Sequence, residues 1–130
     1  DRYTTSNMIY QSSKFETKEE KDSFLDWLWD LEFNKFALPK PSLVIFLNIP
    51  PKISVELLKK RDKKVEGIGK KDIHEKNINY INKTYQNAMY VASKYNWNII
   101  NCLKDDGRLK TKEEIHEEVY NIYKNIINRR

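Results

Sequence analysis

The feature that most constrains the fold is the apolar run Leu43–Leu47, which has prolines on both sides. A continuous run of this length between prolines predicts a strand over Ser42–Ile49, because proline disfavours both helix and central strand positions. A strand without polar alternation is typical of a parallel sheet whose two faces are covered by helices. The run therefore predicts an α/β fold rather than a helical bundle.

The rest of the chain fits that class. A second strand is predicted over Asn98–Leu103, and the turn Asp105-Asp106-Gly107 follows it. Helices are predicted at Met8–Lys14, from Thr17 to Phe36, from Ser54, over Asp72–Tyr95, and from Thr111. Strands that alternate with helices indicate a parallel sheet. Two strands cannot cover five helices, so further strands are expected upstream of residue 1.

Two helix starts carry a capping box, a hydroxyl residue followed three positions later by glutamate. These are Thr17 with Glu20 and Thr111 with Glu114. Helical spacing then predicts the buried faces. The expected buried face of the second helix is Phe24, Trp27, Leu28 and Leu31. That of the fourth helix is Ile78, Ile81, Tyr85, Ala88 and Ala92. That of the last helix is Ile115, Val119, Ile122 and Ile126. Trp29 and Phe33 lie off the first stripe and indicate a second buried face.

Composition restricts the class of protein. At 130 residues with 39% hydrophobic and 33% charged residues, the chain is expected to form one domain or most of one. No apolar run approaches the ~20 residues of a membrane span. One cysteine, Cys102, excludes an internal disulfide, is expected to be a core residue, and favours a cytoplasmic location.

The net charge of +5 is concentrated in one segment. Residues 59–71 hold seven basic and two acidic side chains, which leaves 17 of each sign in the rest of the chain. The segment also contains Gly67 and Gly69. Such a concentration predicts an anion site, although a solvated charged loop gives the same pattern.

The opening residues suggest a ligand-contacting strand end. Arg2 suits a phosphate because its planar guanidinium can bridge two oxygens. Asn7, Tyr10 and Gln11 share one helical face, where an amide can pair with a pyrimidine edge. The alternatives are that Asp1 and Arg2 only pair with each other and that Ser6 caps a polar surface turn.

Three segments in order, DRYTTSN at the start, LPKPSLVIFLNIPPKIS from Leu38 and KKDIHE from Lys70, resemble thymidylate kinases. The resemblance implies a P-loop kinase with a three-layer fold that phosphorylates dTMP with ATP. The 130 residues contain no GxxxxGK[ST] motif. They are therefore expected to be the C-terminal portion of a single thymidylate kinase-like domain, with the two strands as neighbours at one edge of the sheet.

The resemblance also implies roles for individual residues. Arg2 would contact the dTMP phosphate, and Asp1 would lie near the magnesium and phosphate site. Asn7, Tyr10 and Gln11 would line the thymine and sugar pocket. No further metal ligand is expected in this chain.

Residues 59–71 resemble the LID of these kinases, a loop that closes over the ATP phosphates. Arg61 is its only arginine, whereas many relatives have two, so the catalytic arginine is either Arg61 or one upstream. Asp72 and Glu75 match an acidic pair that faces the substrate, and they also suit the first turn of a helix. Asn48 stands where relatives often carry an acid.

The function expected from the resemblance is a dTMP kinase that uses ATP with Mg²⁺, forms a homodimer through Thr17–Phe36, and binds neither nucleic acid nor membrane. The isolated chain is expected to be inactive. Three alternatives remain open: a non-catalytic nucleotide-binding or assembly remnant, a nucleic-acid-binding module that uses residues 59–71, and a kinase for another nucleoside monophosphate. The second lacks the interleaved aromatic residues of single-strand binders.

Overall fold

The computed structural model describes residues 3–64 and 75–128, with side chains described over 3–61 and 78–128. The elements are α1 (Thr4–Ser12), α2 (Lys18–Trp29), a π-helical segment (Asp30–Lys35), β1 (Ile45–Asn48), α3 (Pro51–Lys64), α4 (Glu75–Lys94), β2 (Asn98–Asn101) and α5 (Lys112–Asn128). The described residues divide into two compact units. The first comes from Asp1–Ser42 and Ile73–Lys94, and the second from Leu43–Asp72 and Tyr95–Arg130.

The first unit is helical, and α1 contacts both α2 and α4. On α1, the residues at positions 4, 8 and 12 are buried, which matches the four-residue spacing of one helix face. On α4, Ala88 and Ala92 are buried as the spacing predicts, together with Val91. Small residues at these positions allow the helices to approach closely.

The helix predicted from Thr17 is confirmed at its start, where the Thr17 hydroxyl accepts from the Glu20 N–H at 3.2 Å. Its predicted inner face is only partly right. Leu28 is buried as predicted, whereas Trp27 is 56% exposed and Leu25, which the predicted stripe did not include, is fully buried. The π-helical segment has a wider turn, shown by the Phe36 N–H that donates to the Leu31 carbonyl at 2.8 Å, and it changes the helical phase.

The segment after α2 ends in a left-handed turn. Ala37 has a φ of 53°, and the Leu38 N–H donates to the Glu32 carbonyl at 2.9 Å. This geometry closes a helix and is normally adopted by glycine. Phe33 is buried and lies edge-on against Trp29 with ring centroids 4.6 Å apart, which confirms the second apolar face.

The second unit contains the parallel pair that the sequence predicts. In the β1–β2 register, Ile45 lies opposite Asn98 and Asn48 opposite Asn101. Each strand is shorter than expected. The described residues do not cover both faces fully, since Leu47 and Ile99 remain 45% and 36% exposed. The prediction of a strand buried on both faces concerns a sheet with further strands, so the two-stranded part described here does not test it.

The remaining helices of this unit show one correction. α3 begins at Pro51, not at a Ser54 cap, and the N–H of Ser54 donates to the Pro50 carbonyl at 3.1 Å. Proline suits the first helical position because that N–H has no partner within the helix. The Thr111 cap is confirmed, with its hydroxyl 3.1 Å from the Glu114 nitrogen.

Two further observations concern the single cysteine and the search for membrane-spanning helices. Cys102 is fully buried, as expected, and burial raises the pKa of its thiol. A helix long and apolar enough to cross a membrane does not occur in the described ranges.

Candidate functional site

α1 brings together three of the residues predicted to bind a ligand. Asn7 is half-buried, and Tyr10 and Gln11 are exposed on the same side of the helix one turn later. The helix begins at Thr4, four residues earlier than predicted, with Tyr3 as the residue that precedes it. A polar helix face of this kind can offer hydrogen bonds and an aromatic ring to a small polar ligand.

Ser6 does not cap α1. Its N–H already lies inside the first turn and donates to the Tyr3 carbonyl at 3.0 Å. Tyr3 supplies no side-chain cap. The prediction of a Ser6 cap is therefore wrong, because the helix extends past Ser6 towards the amino terminus.

Gln11 has a charged neighbour. Lys14 Nζ donates to Gln11 Oε1 at 2.8 Å, and both side chains are exposed. A glutamine amide has one acceptor oxygen and two donor hydrogens. With its oxygen accepting from Lys14, Gln11 still has the two N–H donors of its amide group.

The side of α1 that faces α4 carries a buried polar contact that the sequence analysis missed. Asn87 Nδ2 donates to the Ile9 carbonyl at 2.6 Å and to Ser12 Oγ at 2.7 Å. Both Asn87 and Ser12 are almost completely buried. The available signal was a lone amide between the apolar positions Tyr85, Ala88 and Ala92 on the inner face of α4.

A second polar cluster joins α2 to α4. The Tyr90 hydroxyl donates to Asp22 Oδ1, and Lys94 Nζ lies 3.3 Å from the same oxygen. The hydrogen bond from Tyr90 lowers the pKa of the Asp22 carboxyl and raises the pKa of Tyr90 to about 12. This cluster has the geometry of a structural link between helices.

The predicted LID is described only over its first part. Lys59 to Lys64 form the last turns of α3, and the Arg61 side chain is exposed on that helix. Residues 65–71 lie outside the described residues, so the predicted LID loop, with Gly67 and Gly69, is not tested.

Four other predicted site residues are not described. Asp1, Arg2 and Asp72 lie outside the described residues. Glu75 is the first residue of α4, but its side chain is among those not described. The structure therefore brings together Asn7, Tyr10 and Gln11 and leaves the predicted phosphate contacts as predictions.

The carboxyl ends of the two strands carry a pair of asparagines. Asn48 Nδ2 donates to Asn101 Oδ1 at 2.9 Å, directly across the parallel pair. Open α/β sheets bind ligands at this edge. Relatives often carry an acid at the position of Asn48. In this chain the carboxyl ends of the two strands therefore carry a neutral pair of amides.

A comparison with protein-family models matches residues 1–119 to the family described as thymidylate kinase. A search of curated proteins found no significant match, and a search of solved structures found none either. The family match covers both strands, α1 to α4 and the first half of α5.

Proposed function

Because the chain belongs to the thymidylate kinase family, we propose that the protein transfers the γ-phosphoryl group of ATP to dTMP and yields dTDP. The observation that carries this proposal is the polar face of α1, where Asn7, Tyr10 and Gln11 lie one turn apart on a helix held by α2 and α4. Such a face matches a pyrimidine nucleoside, which has hydrogen-bonding edges and an apolar sugar.

Each residue of this face has a proposed role. The half-buried Asn7 amide pairs with the imide edge of thymine, since an amide offers both a donor and an acceptor. The Tyr10 ring packs against the deoxyribose. Gln11, whose oxygen is held by Lys14, donates its NH₂ to a thymine carbonyl.

The phosphate groups require positive charge. Phosphoryl transfer depends mainly on alignment and on neutralisation of charge. We assign the dTMP phosphate to Arg2, which precedes α1 by two residues, and the ATP phosphates to Arg61 and the other basic residues of 59–71. Asp72 and Glu75 complete the substrate side of this arrangement.

Mg²⁺ is assigned to the ATP phosphates, with Asp1 as a nearby carboxylate. Magnesium commonly binds substrate phosphates together with one or two carboxylates, and does not require a cage of side chains. A group of three or more His, Cys, Asp or Glu residues that could hold a metal does not occur among the described residues. The proposed catalytic unit also includes a phosphate-binding loop from outside these 130 residues.

Steady-state kinetics on the full-length protein would test the proposed role of α1 in binding dTMP. Asn7→Ala is expected to raise the KM for dTMP about tenfold, which corresponds to about 1.4 kcal/mol, with the KM for ATP changed less than about twofold. Asn121→Ala, an exposed asparagine on α5, is the control. Equal changes in both KM values would contradict the assignment of α1 to dTMP.

A separate experiment tests Arg2. Arg2→Lys keeps the charge but loses the two-pronged contact with phosphate. We expect turnover to fall at least about tenfold while the melting temperature stays nearly constant. A variant that unfolds readily but keeps its turnover per folded molecule would show that Arg2 is structural.

The proposed homodimer contact lies on α2. Phe24 is 5.3 Å from Phe15 and 5.9 Å from Trp27 between ring centroids. These rings line an open groove of about 460 Å³ whose other residues are Glu19, Glu20 and Ser23. Exposed aromatic patches of this kind often mark interfaces. Trp27→Glu should lower the mass in sedimentation equilibrium, whereas Tyr123→Glu on α5 should leave it unchanged.

A further inference from the structure

The last turn of α1 has all of its backbone carbonyls satisfied. A helix leaves its final four carbonyls without partners inside the helix. Here the Tyr10 carbonyl accepts from Ser13 Oγ at 2.8 Å. The Gln11 carbonyl accepts from the Lys14 N–H at 3.3 Å, and the Ser12 carbonyl accepts from the Phe15 N–H at 3.2 Å. The Ile9 carbonyl accepts from the Ser13 N–H at 3.2 Å and also from Asn87 Nδ2.

Asn87 thus provides the one side-chain bond in this set that comes from another helix, within the described residues. The orientation of its amide is fixed by the network. The Ser12 hydroxyl donates to the Met8 carbonyl, so its oxygen is left to accept from Asn87. Because both atoms in front of Asn87 are acceptors, the amide must present its NH₂ group to them.

This orientation leaves a cost on the other side of the amide. Asn87 Oδ1 is buried and has no hydrogen-bond partner among the described residues. A buried acceptor without a partner lowers stability, and an apolar side chain of similar size would avoid that loss. The amide thus combines two stabilising hydrogen bonds with a cost that an apolar residue between the alanines and valine of α4 would not carry.

We propose that Asn87 is a positioning residue for dTMP binding. Its hydrogen bonds to the Ile9 carbonyl and Ser12 fix the rotation of α1 and its position along the helix axis. Ile9 lies next to Tyr10, and Ser12 lies next to Gln11, so the two bonds hold the turn that carries the proposed nucleoside contacts. A small rotation of that turn would misdirect both side chains. Asn87 itself does not touch the substrate, and the inference rests on the proposed function.

The test is kinetics on the full-length protein with two substitutions at position 87. Asn87→Leu keeps the number of side-chain heavy atoms in a larger, apolar side chain, and it removes the two donated hydrogen bonds together with the buried unpaired oxygen. Because the removal of the unpaired oxygen offsets part of the loss, its melting temperature is expected to fall less than that of Asn87→Ala. Its KM for dTMP should nevertheless rise about tenfold, with the KM for ATP within about twofold. Asn87→Ala should show the same split in KM together with a lower melting temperature.

Ser12→Ala provides a milder variant that leaves the bond from Asn87 to the Ile9 carbonyl in place. We expect it to raise the KM for dTMP less than Asn87→Leu does, and the double variant to be no worse than Asn87→Leu, since both act through one contact. The controls are Asn79→Ala, an exposed asparagine on α4, and Ile100→Val, a core change in the second unit.

The outcomes separate the two claims. Wild-type turnover of dTMP with an unchanged KM in both position-87 variants would overturn the positioning role and leave the proposed function intact. Equal rises in the KM for dTMP and for ATP would also overturn it, because α1 is assigned to dTMP alone. A wild-type protein that does not phosphorylate dTMP would overturn both.

Discussion

Leu25→Ala and Trp27→Ala lie two residues apart on α2 and should differ clearly in their effect on stability. Leu25 is completely buried, while Trp27 is 56% exposed. The helical spacing of the sequence alone favours Trp27 as the core residue. Comparing the two variants therefore tests whether the structure or the sequence pattern correctly identifies the core residue of α2.

The expected cost at Leu25 follows from its burial. Removing a buried leucine side chain lowers the free energy of unfolding by about 2–5 kcal/mol, from lost transfer energy and from the cavity left behind. Complete burial between packed helices favours the middle of this range, about 3 kcal/mol. For these 130 residues, each kcal/mol changes the melting temperature by about 4 °C, so a fall of about 12 °C is expected.

The expected cost at Trp27 is smaller despite the larger side chain. Its exposure leaves 44% buried. Of the roughly 200 Å² that an aromatic side chain can bury, this is about 90 Å², or about 2 kcal/mol at 25 cal/mol per Å². Burial in the denatured chain and the retained Cβ reduce this to about 1 kcal/mol.

The assay is thermal unfolding of the full-length variants, followed by far-ultraviolet circular dichroism at two protein concentrations. If the groove beside Trp27 lies in a dimer contact, the wild-type melting temperature should rise with concentration and the Trp27→Ala value should rise less. A larger loss for Trp27→Ala than for Leu25→Ala at low concentration would refute the placement of α2.

Three further predictions concern stability. Thr17→Ala and Thr111→Ala should each lower the free energy of unfolding by about 1 kcal/mol in urea titrations, with the matching serine variants close to wild type, because each hydroxyl caps a helix. Ala37→Gly should raise it by about 0.5–1 kcal/mol, since Ala37 has a φ of 53°, whereas Asn96→Gly at a φ of 54° should change it less because asparagine tolerates this region. The pKa of Tyr90, raised from 10.0 to about 12, means that the folded protein holds this proton more tightly. The stabilisation from this bound proton is complete below pH 10 and is lost as the pH rises to 12. The free energy of unfolding of Tyr90→Phe should therefore fall less steeply than that of the wild type over that interval.

The sequence predicted those parts of the fold that depend on neighbouring residues. Prolines bound the first strand, and threonine hydroxyls begin α2 and α5, because these effects act within one turn or strand. The parallel pairing of β1 with β2 was also predicted, from a pattern that already pointed to helices on both sides. The shared face of Asn7, Tyr10 and Gln11 follows from helical spacing alone.

The features that the sequence did not predict depend on contacts between distant segments. Leu25 and not Trp27 is buried because the packing of α1 and α4 determines which face of α2 is covered. The π-helical segment then changes the helical phase of the residues that follow α2. The contact of Asn87 with Ser12 joins residues 75 positions apart. A single buried amide on an apolar helix face indicates an unusual position, but it does not identify the partner.

The most direct measurement of the central claim is the phosphorylation rate of the full-length protein with dTMP, dUMP and dCMP in a coupled assay with ATP and Mg²⁺. The proposed pairing of the α1 amides with the imide edge predicts the lowest kcat/KM for dCMP, whose exocyclic amine replaces a carbonyl acceptor. Thymine and uracil share that edge, so the higher value expected for dTMP than for dUMP depends on contact with the 5-methyl group of thymine. Equal kcat/KM values for the three nucleotides would contradict the assignment of this face to thymine.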